Sequence, residues 1–326
     1  MKIGFIGHGC HAQNNLYPSL KYLNVPIQAI STSSQETAEK AKLMQNAQSA
    51  YFNYKEMFEK EHLDCVFISV SGEAHPQMVK DSLNAGLHVF VEKPLSLTLK
   101  ESREVHELSQ STGKFVEVGY LKRYAVPYRK VNELLPQIGK VSSINATFGC
   151  RNFAKDASDY LLQAAIHSVN LVQYFAGDIK EIHTVMSEVE SNFTILSVLR
   201  CTNDVPVSLT LLAADAWAKL NEELIITGTK GFIKYNNNSG LEMHINDTEK
   251  PVKPRWQELD EVTTKYTTVS TTGSGGFQDL YQKGFIPEVE YFLDSVKNNK
   301  TPLTDSLDNL KTMEWIESIL NAESLF

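Results

Sequence analysis

The sequence predicts an α/β protein with two domains. A doubly wound parallel sheet is expected over residues 1–120, and an α+β domain with a large, mostly antiparallel open sheet over residues 121–326. Strand and helix patterns alternate in the first part, which is typical of a parallel sheet. A glycine-rich turn follows the first strand. The second part carries strand patterns in succession, which favours antiparallel pairing.

Length, composition and charge fit this division. The 326 residues exceed what one ordinary core supports, and 42% hydrophobic with 21% charged residues is a globular composition. The net charge of −8 argues against nucleic-acid binding, which depends on a basic face. No apolar run approaches the ~20 residues that span a bilayer. Because a strand pattern begins at the second residue, we expect a cytoplasmic protein without membrane contact.

Cysteine placement gives no sign of a metal site. No C-x-x-C pair occurs among Cys10, Cys65, Cys150 and Cys201. Structural zinc sites and thioredoxin chemistry use such close pairs. We therefore predict no bound metal.

The strands and helices of the first domain follow from residue periodicity. Strands are predicted at 3–6, 27–30, 64–70, 87–91 and 115–118, with helices between them. Ser33 with Glu36 and Thr98 with Glu101 fit capping boxes, so a helix is expected to begin after each serine or threonine. The helix after Thr98 is expected to end at Gly113.

The second domain begins with helical patterns and continues with strands. Helices are predicted at 126–136 and 159–175, and strands at 141–149, 180–189, 192–201, 205–213, 222–228 and 231–235. A long loop is expected over 247–276, which is rich in Thr, Ser, Lys and Gly. Two helices, one around 285–296 and one from 306 to 321, complete the chain.

The first turn carries the clearest functional motif. Gly7-His8-Gly9-Cys10-His11-Ala12 is a G-x-G-x-x-A fingerprint of the Rossmann dinucleotide-binding turn. Gly7 allows the tight turn, Gly9 lets the backbone approach a pyrophosphate, and Ala12 keeps the helix close to the sheet. The helix start faces the phosphates. These six residues are predicted to bind a nicotinamide dinucleotide.

The end of the second strand bears on the choice of cofactor. A carboxylate commonly binds the ribose hydroxyls of NAD there. This chain has Ser31-Thr32-Ser33-Ser34, and no acidic residue before Glu36. Hydroxyl groups without a carboxylate favour NADP(H), with Ser31, Thr32 and Ser33 as contacts. NAD(H) stays open as an alternative in which the serines only cap the helix.

A lysine follows the fifth predicted strand. Lys93-Pro94 comes directly after a buried strand, so the ammonium group is expected at the carboxyl end of the sheet, where ligands bind. Proline fixes the backbone beyond Lys93. A lysine near a nicotinamide can polarise a carbonyl or share a proton with an alcohol.

Motifs along the whole chain support a family resemblance. They are the turn from Gly7 to Ala12, residues 67–75 (FISVSGEAH), residues 85–94 (AGLHVFVEKP), residues 119–124 (GYLKRY), residues 166–171 (IHSVNL) and Gly177. The sequence resembles the glucose-fructose oxidoreductase, inositol dehydrogenase and MocA-like (Gfo/Idh/MocA) oxidoreductases. The resemblance implies hydride transfer between NAD(P) and a hydroxyl or carbonyl of a sugar, polyol or related small molecule. It also implies a homodimer or homotetramer built on the C-terminal sheet.

The resemblance assigns roles to individual residues. It implies that Lys93 and His167 are catalytic. The implied cofactor contacts, beyond the first turn and the second strand, are Ser69, Val70, His75, Glu92, Lys93 and Arg123. The predicted substrate contacts are Lys93, Tyr124, Gln163 and His167, of which the resemblance implies Lys93 and His167.

Two positions, Gln163 and Asn170, depart from the family pattern, each where the family commonly has Asp. Gln163 stands four residues before His167, where the family commonly has Asp. On a regular helix Gln163, His167, Asn170 and Tyr174 would share one polar face. Because of Gln163, a second function stays possible, that of a nucleotide-binding regulatory protein that has lost turnover. A third possibility is NAD(P)-assisted sugar chemistry without net redox change.

Overall fold

The computed structural model describes residues 1–216, 219–237, 239–245, 263–267 and 276–322. Their packing divides the chain into two compact units. The first contains residues 1–125 and the described part of 274–314, and the second contains the described parts of 126–273 and 315–326. Residues 276–314 therefore pack with the first unit, although the sequence analysis assigned them to the second domain. The cause is apolar packing by residues of the helix at 285–298.

The first unit contains a six-stranded parallel sheet. The strands are β1 (Ile3–Ile6), β2 (Ile27–Ser31), β3 (Ser49–Tyr51), β4 (Cys65–Ile68), β5 (His88–Val91) and β6 (Val116–Val118). Their order is β3-β2-β1-β4-β5-β6, and every pair is parallel. This is the strand order of the dinucleotide-binding Rossmann fold. The predicted doubly wound sheet is confirmed.

Helices connect these strands. They are α1 (Tyr17–Tyr22) after a π-helical turn (Ala12–Leu16), α2 (Gln35–Gln45), α3 (Tyr54–Lys60), α4 (His75–Asn84) after a short turn (Gly72–Ala74), and α5 (Leu99–Thr112). Thr98 caps α5 as predicted, because its hydroxyl accepts from the Glu101 amide at 3.2 Å. The prediction that Ser33 and Glu36 form a capping box is wrong. Ser34 is the cap of α2 and accepts from the Thr37 amide at 3.2 Å.

Late helices complete the core of the first unit. They are α9 (Gly276–Lys283) and α10 (Phe285–Asn298). The last described helix of the chain is α11 (Ser306–Asn321), of which residues 306–314 belong to the first unit. Phe292 of α10 meets Phe67 of β4 edge-on, with ring centroids 5.2 Å apart, and lies 5.7 Å from Phe90 of β5. Val289 belongs to the same buried cluster. Aromatic burial of this kind contributes strongly to core stability.

The second unit contains an eight-stranded sheet. The strands are β7 (Val141–Cys150), β8 (Ile179–Val189), β9 (Asn192–Cys201), β10 (Pro206–Ala213), β11 (Asn221–Gly228), β12 (Gly231–Asn236), β13 (Gly240–Ile245) and β14 (Thr263–Tyr266). Their order is β14-β13-β12-β11-β7-β10-β9-β8. Among these described strands only β10 and β7 pair in parallel, so the predicted mostly antiparallel sheet is confirmed.

Part of the predicted 247–276 loop is ordered as a strand. Residues 263–266 form β14, which pairs with β13 and satisfies its backbone groups. The loop prediction is therefore wrong for β14. Residues 246–262 and 268–275 lie outside the described residues.

The helices of the second unit agree with the predicted regions. They are α6 (Val126–Leu134) followed by a short turn (Leu135–Ile138), α7 (Ala157–Tyr160), a π-helical turn (Leu161–Ala165) and α8 (Ile166–Ala176). Within the described ranges, no helix of the chain combines the length and apolar character needed to cross a membrane.

Candidate functional site

The turn after β1 has the backbone that its glycines require. Gly7 has φ +106°, and a Cβ there would lie 2.1 Å from the Ser69 carbonyl oxygen. The Gly7 amide donates to the Ser31 carbonyl at 2.9 Å. A side chain at Gly7 is therefore excluded by both conformation and space. The structure brings together the ends of β1, β2 and β4.

The other positions of the fingerprint fit a dinucleotide. A Cβ on Gly9 would meet no atom of the described protein within 4 Å, so space is open beside the backbone. The Gln13 amide donates to the Gly9 carbonyl at 3.0 Å, which places the helix start at this turn. Amides at a helix start lack carbonyl partners in the helix and bind phosphate well. Ala12 is fully buried, as its predicted packing role requires. These residues fit the pyrophosphate of a dinucleotide.

Side-chain hydrogen bonds hold the backbone of the turn after β1. The Tyr17 hydroxyl donates to the Gly7 carbonyl at 2.8 Å. The Gln13 side chain donates to the His8 carbonyl at 2.8 Å, and the Gln45 amide nitrogen lies 3.2 Å from His8 Nε2. Cys10 is exposed. The loop is thus held in one shape before any ligand binds, which lowers the entropic cost of binding.

Hydroxyl groups cluster after β2. Ser31 is the last residue of the strand and is only 2% exposed. Thr32 follows, and its Oγ1 lies 2.6 Å from Oγ1 of Thr37. Ser33 is exposed. Because Ser31 is buried, Thr32 and Ser33 are the accessible side chains of the predicted ribose contacts.

A lysine near His8 of the first turn was not predicted from the sequence. Burial lowers the pKa of His8, and the charge of Lys40 on α2 lowers it further. Lys40 is exposed and lies close enough to His8 to interact electrostatically. Its position five residues into α2 carries no motif, so only the fold relates it to the first turn.

Lys93 lies at the carboxyl end of β5, as predicted. It is half-buried, and its peptide bond to Pro94 is cis. Burial lowers the pKa of the Lys93 ammonium, while the Glu92 carboxylate opposes that shift. His75 Nδ1 donates to the Pro94 carbonyl at 2.8 Å. The turn that carries Lys93 is therefore fixed by a buried histidine, and an amine with a lowered pKa gives up its proton more readily than an exposed lysine does.

Glu92 connects this turn to the first one. Its Oε1 lies 2.8 Å from His11 Nε2, and its side chain is almost completely buried. A Cβ on Gly119 would approach Glu92 Oε2 to 3.0 Å. The bond joins two residues that the sequence separates by 81 positions. Both were predicted cofactor contacts.

Two further buried carboxyl groups lie in the same unit. Glu117 of β6 accepts a hydrogen bond from the Tyr124 hydroxyl at 2.8 Å. Glu288 of α10 is fully buried, and neither of its oxygens has a hydrogen-bond partner among the described residues. Burial raises the pKa of both groups, and the neighbouring carboxyl groups of Glu92 and Glu117 raise that of Glu288 further. Both carboxyl groups therefore keep their protons to a higher pH than an exposed glutamate does.

Glu288 was not predicted from the sequence, although its spacing from neighbouring phenylalanines indicates that it is buried. It stands three residues after Phe285 and four before Phe292, which is the spacing of one helix face. Those phenylalanines mark the buried face of α10, so a glutamate among them is buried too.

Glu288→Gln should stabilise the protein at alkaline pH. The folded chain keeps the Glu288 proton above its ordinary pKa of 4.5, whereas the unfolded chain releases it. Stability is therefore lost as the pH rises above about 4.5. Gln removes this loss, and we expect the melting temperature to rise by about 2–4 °C at pH 8, for ~1 kcal/mol. Calorimetry of the variant and the unmodified chain at pH 8 and at pH 4.5 measures the change in melting temperature at each pH. Glu290→Gln, at an exposed site of α10, is the control. An equal effect at both pH values would contradict the assignment.

Two residues that were predicted to contact ligands instead form polar contacts within the first unit. Arg123 is buried and forms an ion pair with Asp308. Tyr124 is buried, with its hydroxyl on Glu117. Ser69 is buried and Val70 half-buried, beside the Gly7 turn. The roles of these four residues as cofactor or substrate contacts stay predictions.

The predicted polar stripe lies in the second unit and is not uniform. Gln163 belongs to the π-helical turn and is exposed, as is Tyr174, whereas Asn170 is buried. His167 is half-buried on α8. A π turn holds one extra residue, which rotates later residues relative to earlier ones. Gln163 is therefore displaced from the face that His167, Asn170 and Tyr174 share on α8, and the roles of Gln163 and His167 stay predictions.

Known proteins resemble the chain in sequence. The model of the oxidoreductase family with an NAD-binding Rossmann fold (GFO_IDH_MocA) matches residues 1–120. The scyllo-inositol 2-dehydrogenase (NAD(+)) of Bacillus subtilis is 23% identical over 271 residues, 79% of this chain and 75% of that protein. The myo-inositol 2-dehydrogenase of Thermotoga maritima is 25% identical over 336 residues, 94% of this chain and 92% of that protein.

Solved structures share the fold. A dehydrogenase from Chromobacterium violaceum has a TM-score of 0.84 at 19% identity, covering 98% of this chain and 94% of that one. Levoglucosan dehydrogenase, in complex with NADH and L-sorbose, has a TM-score of 0.80 at 16% identity, covering 99% and 96%. With the fingerprint turn and the strand order, these matches confirm the resemblance found in the sequence. Residues 1–120 thus match the model of the Gfo/Idh/MocA oxidoreductases with their NAD-binding Rossmann fold, and the chain is similar to inositol dehydrogenases over most of its length.

Proposed function

We propose that the protein transfers a hydride between a nicotinamide dinucleotide, preferably NADP(H), and a hydroxyl or carbonyl carbon of a sugar, polyol or related small molecule. The observation that carries the proposal is the turn after β1, where Gly7 has no room for a side chain and Gly9 borders open space. The substrate class is supported by the names of the inositol dehydrogenases that the chain resembles.

The residues of the first unit have separate tasks in this proposal. The turn from Gly7 to Ala12 binds the pyrophosphate through backbone amides. The bound nicotinamide supplies the hydride chemistry. Lys93 holds or releases a proton at Nζ as the substrate oxygen changes charge, and His75 keeps the Lys93 turn in place through Pro94. A catalytic role for His167 rests on the family resemblance alone.

The preference for NADP(H) rests on charge near the second strand. No acidic residue occurs from Ser31 to Ser34, and Lys40 adds a positive charge near His8. A 2′-phosphate is favoured by hydroxyl groups and an ammonium group and is not repelled here. NAD(H) is the alternative, favoured by the NAD(+) in the name of the Bacillus subtilis relative.

Self-association is part of the proposal. Val189 of β8 and Leu196 and Val198 of β9 are exposed on one face of these strands. Apolar side chains grouped on a sheet surface favour association between copies. We therefore propose a homodimer or homotetramer that uses this face.

Titration of the purified chain with NADPH and NADH, followed by nicotinamide fluorescence, tests the proposal. Binding should be followed by turnover with a member of a panel of inositols, sugars, polyols and their keto forms. Binding without turnover on any of them would favour a regulatory protein. A cofactor that stays bound through purification would favour sugar chemistry without net redox change. Binding of neither cofactor would contradict the proposal.

Thr32→Asp should reverse the cofactor preference. A carboxylate at this accessible position repels a 2′-phosphate and offers the ribose hydroxyls an acceptor. We expect NADPH affinity to fall at least about tenfold, or ~1.4 kcal/mol, while NADH affinity is kept or improved. The two dissociation constants measure it. Thr32→Ser, which keeps the hydroxyl, is the control.

Lys40→Gln extends the same experiment. It should weaken NADPH alone, by about threefold to tenfold, because an exposed ammonium contributes roughly 1 kcal/mol to a phosphate contact. If both variants change the two affinities equally, the 2′-phosphate lies elsewhere and the NADP(H) preference loses its basis.

A further inference from the structure

An ion pair lies at the start of the phosphate-binding helix. His11 Nε2 lies 2.8 Å from Glu92 Oε1, with the His11 side chain 40% exposed and that of Glu92 8% exposed. His11 Nδ1 lies 3.3 Å from the side-chain nitrogen of Asn15. The His11 ring also meets Phe285 edge-on, at 5.7 Å between centroids. The ring is thus held on several sides while one part stays open to solvent.

The charged groups around Glu92 come from four parts of the unit. They are His11 in the first helix turn, Lys93 beside Glu92, His75 at the start of α4 and Glu288 of α10. Burial lowers the pKa of His75 and raises that of Glu288, so burial favours the neutral form of both. The groups left to carry charge around Glu92 are His11 and Lys93.

The proton on His11 is stabilised by its partner. Burial lowers the pKa of His11, the hydrogen bond and charge of Glu92 raise it, and Lys93 lowers it. The net pKa lies above the ordinary 6.5. His11 therefore keeps its proton to a higher pH than a free imidazole does, at a place where an anionic pyrophosphate is expected.

We propose that dinucleotide binding is linked to proton uptake at His11, whose ion pair with Glu92 makes it the pH-sensitive contact of the cofactor site. This inference rests on the proposed function, because it requires a nicotinamide dinucleotide at the first turn. The protonated ring offers a positive charge to the pyrophosphate. Loss of the proton removes one of the two positive charges beside the Glu92 carboxylate and leaves the site more negative, which weakens binding of the phosphates.

The direction of the pH dependence follows. An anion bound near His11 raises the pKa of the imidazole further, so binding takes up a fraction of a proton from solvent. Affinity falls as the pH rises through the pKa of free His11 and levels off above the pKa of the complex. One linked proton changes the affinity by at most about tenfold per pH unit.

The test is isothermal titration of the full chain with NADH between pH 6.5 and 9. NADH is the probe because it lacks the 2′-phosphate, whose own proton titrates near pH 6 as in other phosphate monoesters. Titrations at pH 7.5 in HEPES and in Tris, which differ in ionisation enthalpy, give the number of protons taken up. We expect fractional uptake, and an affinity that falls about threefold to tenfold between pH 7 and 9.

Variants assign the proton. His11→Gln should abolish the uptake and flatten the profile, with an affinity near that of the unmodified chain at pH 9. Glu92→Gln should keep the uptake but move the fall in affinity to lower pH, because His11 loses the carboxylate that holds its proton. His62→Gln, at an exposed histidine of the same unit, should leave the profile unchanged. Melting temperatures confirm that each variant is folded.

The outcomes separate the two proposals. Binding of NADH without proton uptake, or uptake that persists in His11→Gln, overturns the linkage at His11 and leaves the proposed function intact. Absence of binding by both NADH and NADPH at every pH overturns the proposed function and the linkage with it.

Discussion

Lys93→Met should remove nearly all turnover while the cofactor still binds. A positioned acid or base contributes about 10²–10⁴-fold to rate, so kcat should fall by that factor. Methionine fills a similar volume without a proton, and cofactor affinity should stay within about tenfold, or ~1.4 kcal/mol. Steady-state kinetics with the best substrate of the polyol and sugar panel, and a fluorescence titration with NADPH and NADH, measure the two effects.

Two further lysine variants sharpen this experiment. Lys93→Arg keeps a positive charge but does not release its proton, so it should stay inactive if proton exchange is the task of Lys93. Lys100→Met, at an exposed site of α5, should leave kcat unchanged. A Lys93→Met protein that keeps its kcat would remove the proposed role, and a fully active Lys93→Arg protein would reduce it to charge alone.

Gly7→Ala and Gly9→Ala should affect different properties, although both lie in the same turn. A Cβ at Gly7 would lie 2.1 Å from the Ser69 carbonyl oxygen at a φ of +106°. We expect the backbone strain to cost about 1–3 kcal/mol before the clash is counted. The melting temperature should therefore fall by about 5 °C or more, and cofactor binding should be lost.

Gly9→Ala is the matched control for stability. Its Cβ would meet no described protein atom within 4 Å, so the melting temperature should change little. The same Cβ would occupy space needed for a close approach of the pyrophosphate, and cofactor affinity should fall at least about tenfold, or ~1.4 kcal/mol. Normal cofactor affinity in Gly9→Ala would place the pyrophosphate away from this turn.

The Rossmann domain could be predicted from sequence because its signals are local. β1, β4 and β5 are short, fully buried runs, and Gly113 ends α5 in the left-handed conformation that favours glycine. β3 and α3 were missed, because a three-residue, half-buried strand leaves no periodicity to detect. The cap of α2 was misplaced by one residue, since Ser33 and Ser34 are equally good candidates by type.

The candidate site was predictable only in part, because only some of its residues carry a local sequence signal. The glycines of the first turn and Lys93 lie next to strand ends, so their positions follow from the strands. Lys40 and Glu288 reach the site through helix packing, which one sequence does not encode as a motif. The bond from His11 to Glu92 joins residues 81 positions apart. Such a pair becomes visible only when β1 and β5 are placed in one sheet.

The two π-helical turns bear on how this chain can be engineered. One follows the phosphate turn at Ala12–Leu16, and the other precedes α8 at Leu161–Ala165. Each behaves as a one-residue insertion in an α-helix, which rotates everything after it by about 100°. Deleting one residue from either turn would restore a regular helix at the cost of re-aiming the side chains that follow. Restoring an acidic group near His167 by counting back four residues would therefore put it on an exposed position, that of Gln163.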